Sequence, residues 1–331
     1  MHPLLADHRS EAARVLSEEV HAYYAGGAGG QVSTGDAEDA WLRLRLRPRV
    51  LRDVSHVDTA VTLLGTDLAT PVLAGPTAAH GLAHADGESE TARGVAAAGS
   101  LLVVSTRASQ PLERIPAGPW WFQAYVVRDR QRTLDLVRRA SDAGATAVVL
   151  TGDVPYLGNR PGASRLQLQV NAPDDGDVAD PSAGLEVIGD LAAASGLPVL
   201  VKGVLRGDDA QVCLDAGAAG VVVSNHGGRQ LDRAVPTVDV LAEVVEAVDG
   251  RGPVLVDGGL RSGLDVLCAL ALGADAVLLG RPVLWALAAG GAPAVQACLE
   301  ALTADLSHVM GLAGARSTTE LRPDLVSPRR A

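Results

Sequence analysis

The amino-acid sequence reads as an α/β fold, a (β/α)8 TIM barrel with an N-terminal helical segment and a long loop after its fourth strand. Three observations carry that reading. From Pro71 onward, short apolar runs rich in β-branched residues alternate with longer helix-period stretches, the signature of repeated βα units and a parallel sheet. About eight such runs occur, the number that closes a barrel, and 331 residues suit one domain of this kind. Polar residues with chemical capacity fall immediately after the runs, where barrels place their working groups. A doubly wound open sheet lacks support, because no Gly-x-Gly-x-x-Gly follows the first run.

Taken in order, Pro3 to Tyr24 reads as an amphipathic helix, and Ala25 to Gly30 as a flexible turn. The arginine-rich, partly extended stretch Ala37 to Asp67 reads as a lid or cap over the bottom of the barrel. Residues 1–70 are thus a helix-and-cap segment of the same domain, and 71–331 form the barrel. Strands are predicted at Pro71–Gly75, Leu101–Ser105, Trp121–Tyr125, Thr146–Thr151, Pro198–Lys202, Ala219–Ser224, Pro253–Asp257 and Asp275–Gly280. Helices between them include Gly87–Ala98, Gln131–Ala143, Ser182–Ser195, Gly207–Ala216, Thr237–Val248 and Ser262–Leu272. One connection breaks the rhythm. Tyr156 to Asp180 is long, polar and rich in Gly, Pro and Asp, and is expected to be mobile and to cover the barrel mouth.

Composition narrows the function. Hydrophobic residues make up 47% of the chain, ample for a core. A net charge of -11 and a pI near 5.1 repel nucleic acid and anionic membrane faces. The first ten residues lack the apolar core of a secretion signal, and the apolar tract Val266 to Leu299 is cut by Asp275, Arg281 and several glycines. Cys213, Cys268 and Cys298 have neither metal-ligand nor disulfide spacing, so they are expected as buried, reduced thiols of a cytoplasmic protein without a metal site.

The chemistry gathers at the strand ends. An apolar run ends in Ser224-Asn225-His226-Gly227-Gly228-Arg229, which joins a group able to exchange a proton near neutral pH to a planar anion binder. Asp257-Gly258-Gly259, Arg261, Gly280 and Arg281 follow the seventh and eighth strands, where glycine backbone and helix starts hold phosphates. The phosphate belongs either to a substrate or to FMN. Lys202, the only lysine among 28 basic residues, ends the fifth strand, where an amine can form a Schiff base, as in aldolase barrels, or set a fixed charge beside a flavin. Ser105, Gln123 and Thr151 suit the hydrogen-bonding rim of a flavin better than a phosphosugar.

The segments Pro76-Thr77-Ala78, Phe122-Gln123-Ala124-Tyr125, Thr151-Gly152-Asp153, Val201-Lys202-Gly203, Ser224 to Gln230, Asp257 to Arg261 and Gly280-Arg281-Pro282 together resemble the FMN-dependent α-hydroxy-acid oxidase/dehydrogenase family, over nearly the whole chain. The run Val235 to Gly291 is most similar to its hydroxymandelate oxidase branch. The resemblance implies an FMN enzyme that oxidises an (S)-2-hydroxy acid, aryl or otherwise bulky, to the 2-oxo acid. Dioxygen is then the acceptor, with a quinone or protein acceptor as the alternative, and the assembly is a homo-oligomer, a tetramer in the family. It implies His226 as the base, Asp153 as its supporting carboxylate, and Arg229, Tyr23 and Arg160 as holders of the substrate carboxylate. Tyr125 then bonds the substrate hydroxyl, and Lys202 offsets charge on the reduced flavin. Pro76, Thr77, Ala78, Thr106, Gln123, Thr151 and Ser224 line the flavin, while Asp257, Gly259, Arg261, Gly280 and Arg281 hold its ribityl chain and phosphate. Three positions depart from the pattern: Arg107, where the family member glycolate oxidase has Trp, Gly152 and His80. They are expected to open the pocket, with Arg107 touching substrate.

Overall fold

The computed structural model describes residues 1–115, 118–161 and 179–328. Eight strands form a closed parallel barrel: β1 Val72–Ala74, β2 Leu102–Ser105, β3 Trp120–Ala124, β4 Val148–Thr151, β5 Val199–Val204, β6 Gly220–Val223, β7 Val254–Asp257 and β8 Ala276–Leu279. They pair in chain order, and β8 closes the ring on β1 through Val277 opposite Val72. Both faces of these strands are buried, which is why they read as unbroken apolar runs instead of alternating ones. Leu73, Trp121, Val149, Leu200, Val222 and Leu255 point into the barrel axis. Their neighbours, such as Val72, Phe122, Val148 and Val221, face the surrounding helices.

Those helices are α4 Gly87–Ala97, α5 Arg130–Asp142, α6 Glu186–Ser195, α7 Gly207–Asp215, α8 Thr237–Val248, α9 Gly263–Ala271 and α10 Arg281–Ala313. α10 breaks at Gly290 and Gly291, the latter at φ +63°, so that its first part serves as the eighth barrel helix and its second part runs back across α4 and α1 (Pro3–Val15). The crossing is close: a Cβ on Gly94 would lie 2.5 Å from the Ala292 carbonyl. α10 is the one described helix long and apolar enough to cross a membrane, and its apolar residues are spent on this packing.

The N-terminal segment differs from the expectation in two places. The single helix over Pro3 to Tyr24 is two, α1 and α2 (Glu18–Ala25), because Ser17 turns the chain and its hydroxyl caps the Val20 N–H. The stretch expected to cap the bottom divides. A hairpin of Val61–Leu63 and Thr66–Leu68 does so, inserting Leu63 and Leu68 beneath the axial side chains, each a burial of about 1.5–3 kcal/mol. Ala37 to Leu42 instead belongs to a helix, α3 (Val32–Leu42), on the opposite, C-terminal face. The strand Leu44–Leu46 pairs with Val326–Pro328 and ties the two ends of the chain together. Cys213, Cys268 and Cys298 are free and buried. Of the loop expected over the mouth, residues 162–178 lie outside the described residues.

Candidate active site

The C-terminal ends of the strands open into a cleft whose empty space, counted with its mouth, is about 1130 Å³, ample for a cofactor and a small substrate. On one wall His226 meets Asp153, with Nδ1 at 3.1 and 3.3 Å from the two carboxylate oxygens. A carboxylate only accepts, so Nδ1 carries the hydrogen and the neutral ring presents its Nε2 lone pair. Burial lowers the His226 pKa, and although Asp153 works against it, Lys202 and Arg160 add to the lowering. Burial alone would raise Asp153, yet His226 and Lys202 hold it below the usual carboxylate range. His226 sits at φ +58°, a left-handed conformation costing roughly 1–2 kcal/mol for a non-glycine residue. Gly227 and Gly228 continue it at φ +62° and +74°, and the Ser224 hydroxyl holds it by accepting from the His226 N–H at 3.0 Å.

Lys202 lies on the neighbouring strand and is 4% exposed. Its Nζ donates to Ser224 Oγ at 2.7 Å and pairs with Asp257 Oδ2 at 2.9 Å. Burial pulls the amine down, but Asp257 and Asp153 outweigh it and keep its pKa above the usual lysine value. A bulge at Gly203 makes this arrangement possible: the β5–β6 register shifts between Lys202 and Val204. At φ +107°, a Gly203 Cβ would stand 2.6 Å from that of Asp153.

The rim is wired through Gln123. Its Oε1 accepts from Ser105 Oγ at 3.0 Å and from the Thr106 N–H at 3.3 Å, so Nε2 is fixed as the donor to Thr151 Oγ1 at 2.8 Å. Thr106 Oγ1 donates to the Gln123 carbonyl at 2.6 Å and is buried behind the rim, outside the cleft lining. Pro76, Thr77 and Ala78 line the cleft beside it, as does Tyr125, whose hydroxyl is pushed up by burial.

The arginines are anchored to different degrees. Arg229 Nη1 donates to the carbonyls of Tyr23 (2.8 Å) and Gly26 (2.7 Å), and its guanidinium lies 5.2 Å over the Tyr23 ring. Arg281 donates to the carbonyls of Tyr24, Gly227 and Gly26, and Arg160 to Gln230 Oε1 and the Arg229 carbonyl. Burial and the neighbouring Arg160 bring Arg229 down to about 10, and burial with Arg229 and Arg261 brings Arg281 to about 9. Arg261 pairs with Glu38 of α3 at 3.1 Å and stacks 5.2 Å over Trp285. Gly259 and Gly280 complete this wall; a Cβ on Gly259 would collide with the Ala37 carbonyl at 2.0 Å.

Of the three departures from the family pattern, Arg107 alone lines this cleft. Gly152 borders a separate cavity between β4, β5 and α6. His80 is buried behind the wall between Thr77 Oγ1 at 2.7 Å and Thr91 Oγ1 at 2.8 Å. Neither opens the pocket. Sequence reasoning missed α3 as a wall of the site and Asp232, whose carboxylate accepts from the Gly30 and Ser33 N–H groups and so starts that helix. Asp232 follows Gln230 closely in the motif, which was the available signal.

A flavin nucleotide fits what is present. Asp257 Oδ1 is buried with no partner among the described residues, an acceptor waiting for a hydroxyl donor such as a ribityl chain carries. Beside it, Gly258 and Gly259 at φ +90° and +82° give backbone access that a side chain would block. The family model for FMN-dependent dehydrogenases matches residues 12–176 and 171–328. The chain belongs to that family. Its cofactor is FMN. It is 43% identical to 4-hydroxymandelate oxidase of Amycolatopsis orientalis, covering 96% of each chain. It is 40% identical to 2-hydroxyacid oxidase 2 of Rattus norvegicus over 97% of each. A solved structure of mandelate oxidase with (S)-4-hydroxymandelic acid superposes with a TM-score of 0.93 at 43% identity, covering 99% of both chains. Mandelate oxidase with benzoyl-formic acid gives 0.92 at 44% identity, covering 98% of this chain and 97% of the other.

Proposed function

We propose that this enzyme oxidises (S)-2-hydroxy acids with bulky, aryl-type side groups to 2-oxo acids, and that dioxygen takes the electrons and leaves as hydrogen peroxide. The observation that carries the reading is the His226–Asp153 pair, a neutral base that lines one cleft together with a set of guanidiniums. Oxidising a carbinol removes two electrons and two protons, one from carbon and one from oxygen. Bound FMN supplies the electron acceptor. Nε2 of His226 takes a proton from the substrate, and Asp153, already ionised, steadies the imidazolium that results. Arg229 and Tyr23 hold the substrate carboxylate, Arg160 adds a second guanidinium, and Tyr125 bonds the hydroxyl. Lys202, kept charged, offsets negative charge that reduction brings into the cleft. Similarity to the mandelate and hydroxymandelate oxidases supports the aryl preference.

The test is spectroscopic. Purified holoenzyme should be yellow, should bleach on adding (S)-mandelate under nitrogen, and should regain colour in air with one peroxide per substrate. Bleaching without peroxide in air would replace dioxygen with a quinone or protein acceptor. A yellow protein that no 2-hydroxy acid bleaches would overturn the proposal.

A further inference from the structure

Among the described residues six cationic side chains line the cleft, and Asp257 is the one carboxylate. Five of the six have partners. Lys202 and Arg261 face carboxylates, while Arg281, Arg229 and Arg160 donate to carbonyl or amide oxygens. The guanidinium of Arg107 alone makes no hydrogen bond or ion pair with any described residue. Its backbone is fixed, the N–H donating to Ser105 Oγ at 3.1 Å and the carbonyl accepting from the Ala79 N–H at 2.9 Å. Thr106 and Ala108 on either side are buried.

An unpartnered arginine on a convex surface is ordinary, because water solvates it. A half-buried one in a concave site crowded with like charge loses part of that solvation and is repelled by its neighbours, and an anion relieves both. Arg107 follows β2 and Arg229 follows β6, four strands apart in the closed ring of eight, so the two guanidiniums enter the cleft from opposite sides of the barrel. The apolar side chains of Val154 and Leu157 line the same cleft and suit the carbon frame of a substrate.

We propose that Arg107 reads the far end of the substrate and that the preferred substrates are 2-hydroxy acids whose side group carries a second carboxylate. The proposal rests on the hydroxy-acid reading above and adds the charge of the bulky group.

Pairs of nearly equal shape that differ in charge test it: 4-nitromandelate against 4-carboxymandelate, and the 5-amide of 2-hydroxyglutarate against 2-hydroxyglutarate. The holoenzyme should favour the diacid of each pair by about ten- to a hundredfold in kcat/KM, the scale of one charge-assisted hydrogen bond, with the margin shrinking in salt. Arg107→Met should bring the ratio near unity, Arg107→Lys should keep most of it, and Arg107→Glu should reverse it. Binding without turnover gives a second readout. The 2-oxo diacid product, titrated by its perturbation of the flavin spectrum, should bind about tenfold more weakly to Arg107→Met, and flavin content confirms that the variant is folded. If the neutral acids bleach the flavin and the diacids are no better, or if Arg107→Met keeps the parent ratio, the assignment is wrong. If no hydroxy acid of either kind bleaches it, the underlying reading fails first.

Discussion

Lys202 and His226 stand at the ends of neighbouring strands, each against a half-buried carboxylate, and their proton affinities move in opposite directions. Burial disfavours the charged form of both. For Lys202, two carboxylates answer it, Asp257 at 2.9 Å and Asp153 beyond. For His226, Asp153 at 3.1 Å is opposed by Lys202 and Arg160, and burial wins. The amine held positive thus helps keep the imidazole neutral, and Asp153 serves both without being protonated itself. A permanent charge and a vacant base arise from similar pairs because their second neighbours differ in sign.

The largest test of this contrast removes the base. His226→Ala should stay yellow and lose about 10²- to 10⁴-fold in kcat, measured by steady-state turnover; turnover within tenfold of the parent would take the base role from His226. Next, Lys202→Met strands Asp257 and should cost about 3–5 kcal/mol in urea unfolding of the apoprotein, with Asp257→Asn in the same chain recovering part of it. A loss under about 1 kcal/mol would mean that the pair contributes little.

Asp153→Asn bears on the sign of the His226 shift. The base works when deprotonated, so kcat/KM falls as pH drops through its pKa, which in the parent lies below the ordinary histidine value of about 6.5. Removing the one strong influence that raises it should push the acid limb lower still, while kcat falls for want of a partner to the imidazolium; a limb that moves up contradicts the geometry. Smallest is Ser224→Ala. Its hydroxyl accepts from both Lys202 Nζ and the His226 N–H, so losing it should cost about 1–3 kcal/mol of stability and loosen both pairs at once, read as a lower Tm and a weaker FMN Kd.

Much of this was legible in the chain. The eight strands show as largely unbroken apolar runs because both faces are buried, and their ends locate His226, Lys202 and the Asp257 loop because barrels gather chemistry there. Asp153 against His226 lies 73 residues away, and only the family resemblance joined them. α3 was not legible. Its residues, Val32 to Leu42, have no amphipathic stripe, and its start is held by Asp232, about 200 positions downstream. The Gly203 bulge left no pattern either, since a glycine inside a strand announces a close approach without naming the neighbour.

The placement of α3 also sets an order of events during synthesis. Trp41 donates to the Gly258 carbonyl and Glu38 pairs with Arg261, contacts that span 217 and 223 residues. Glu38 and Trp41 must therefore wait for β7 and the loop after it before they find their seat, while domains generally fold from the N-terminus as they emerge. The cofactor's wall is assembled from parts of the chain made far apart in time, so a nascent polypeptide has no finished pocket for FMN until β7 and the loop after it have emerged.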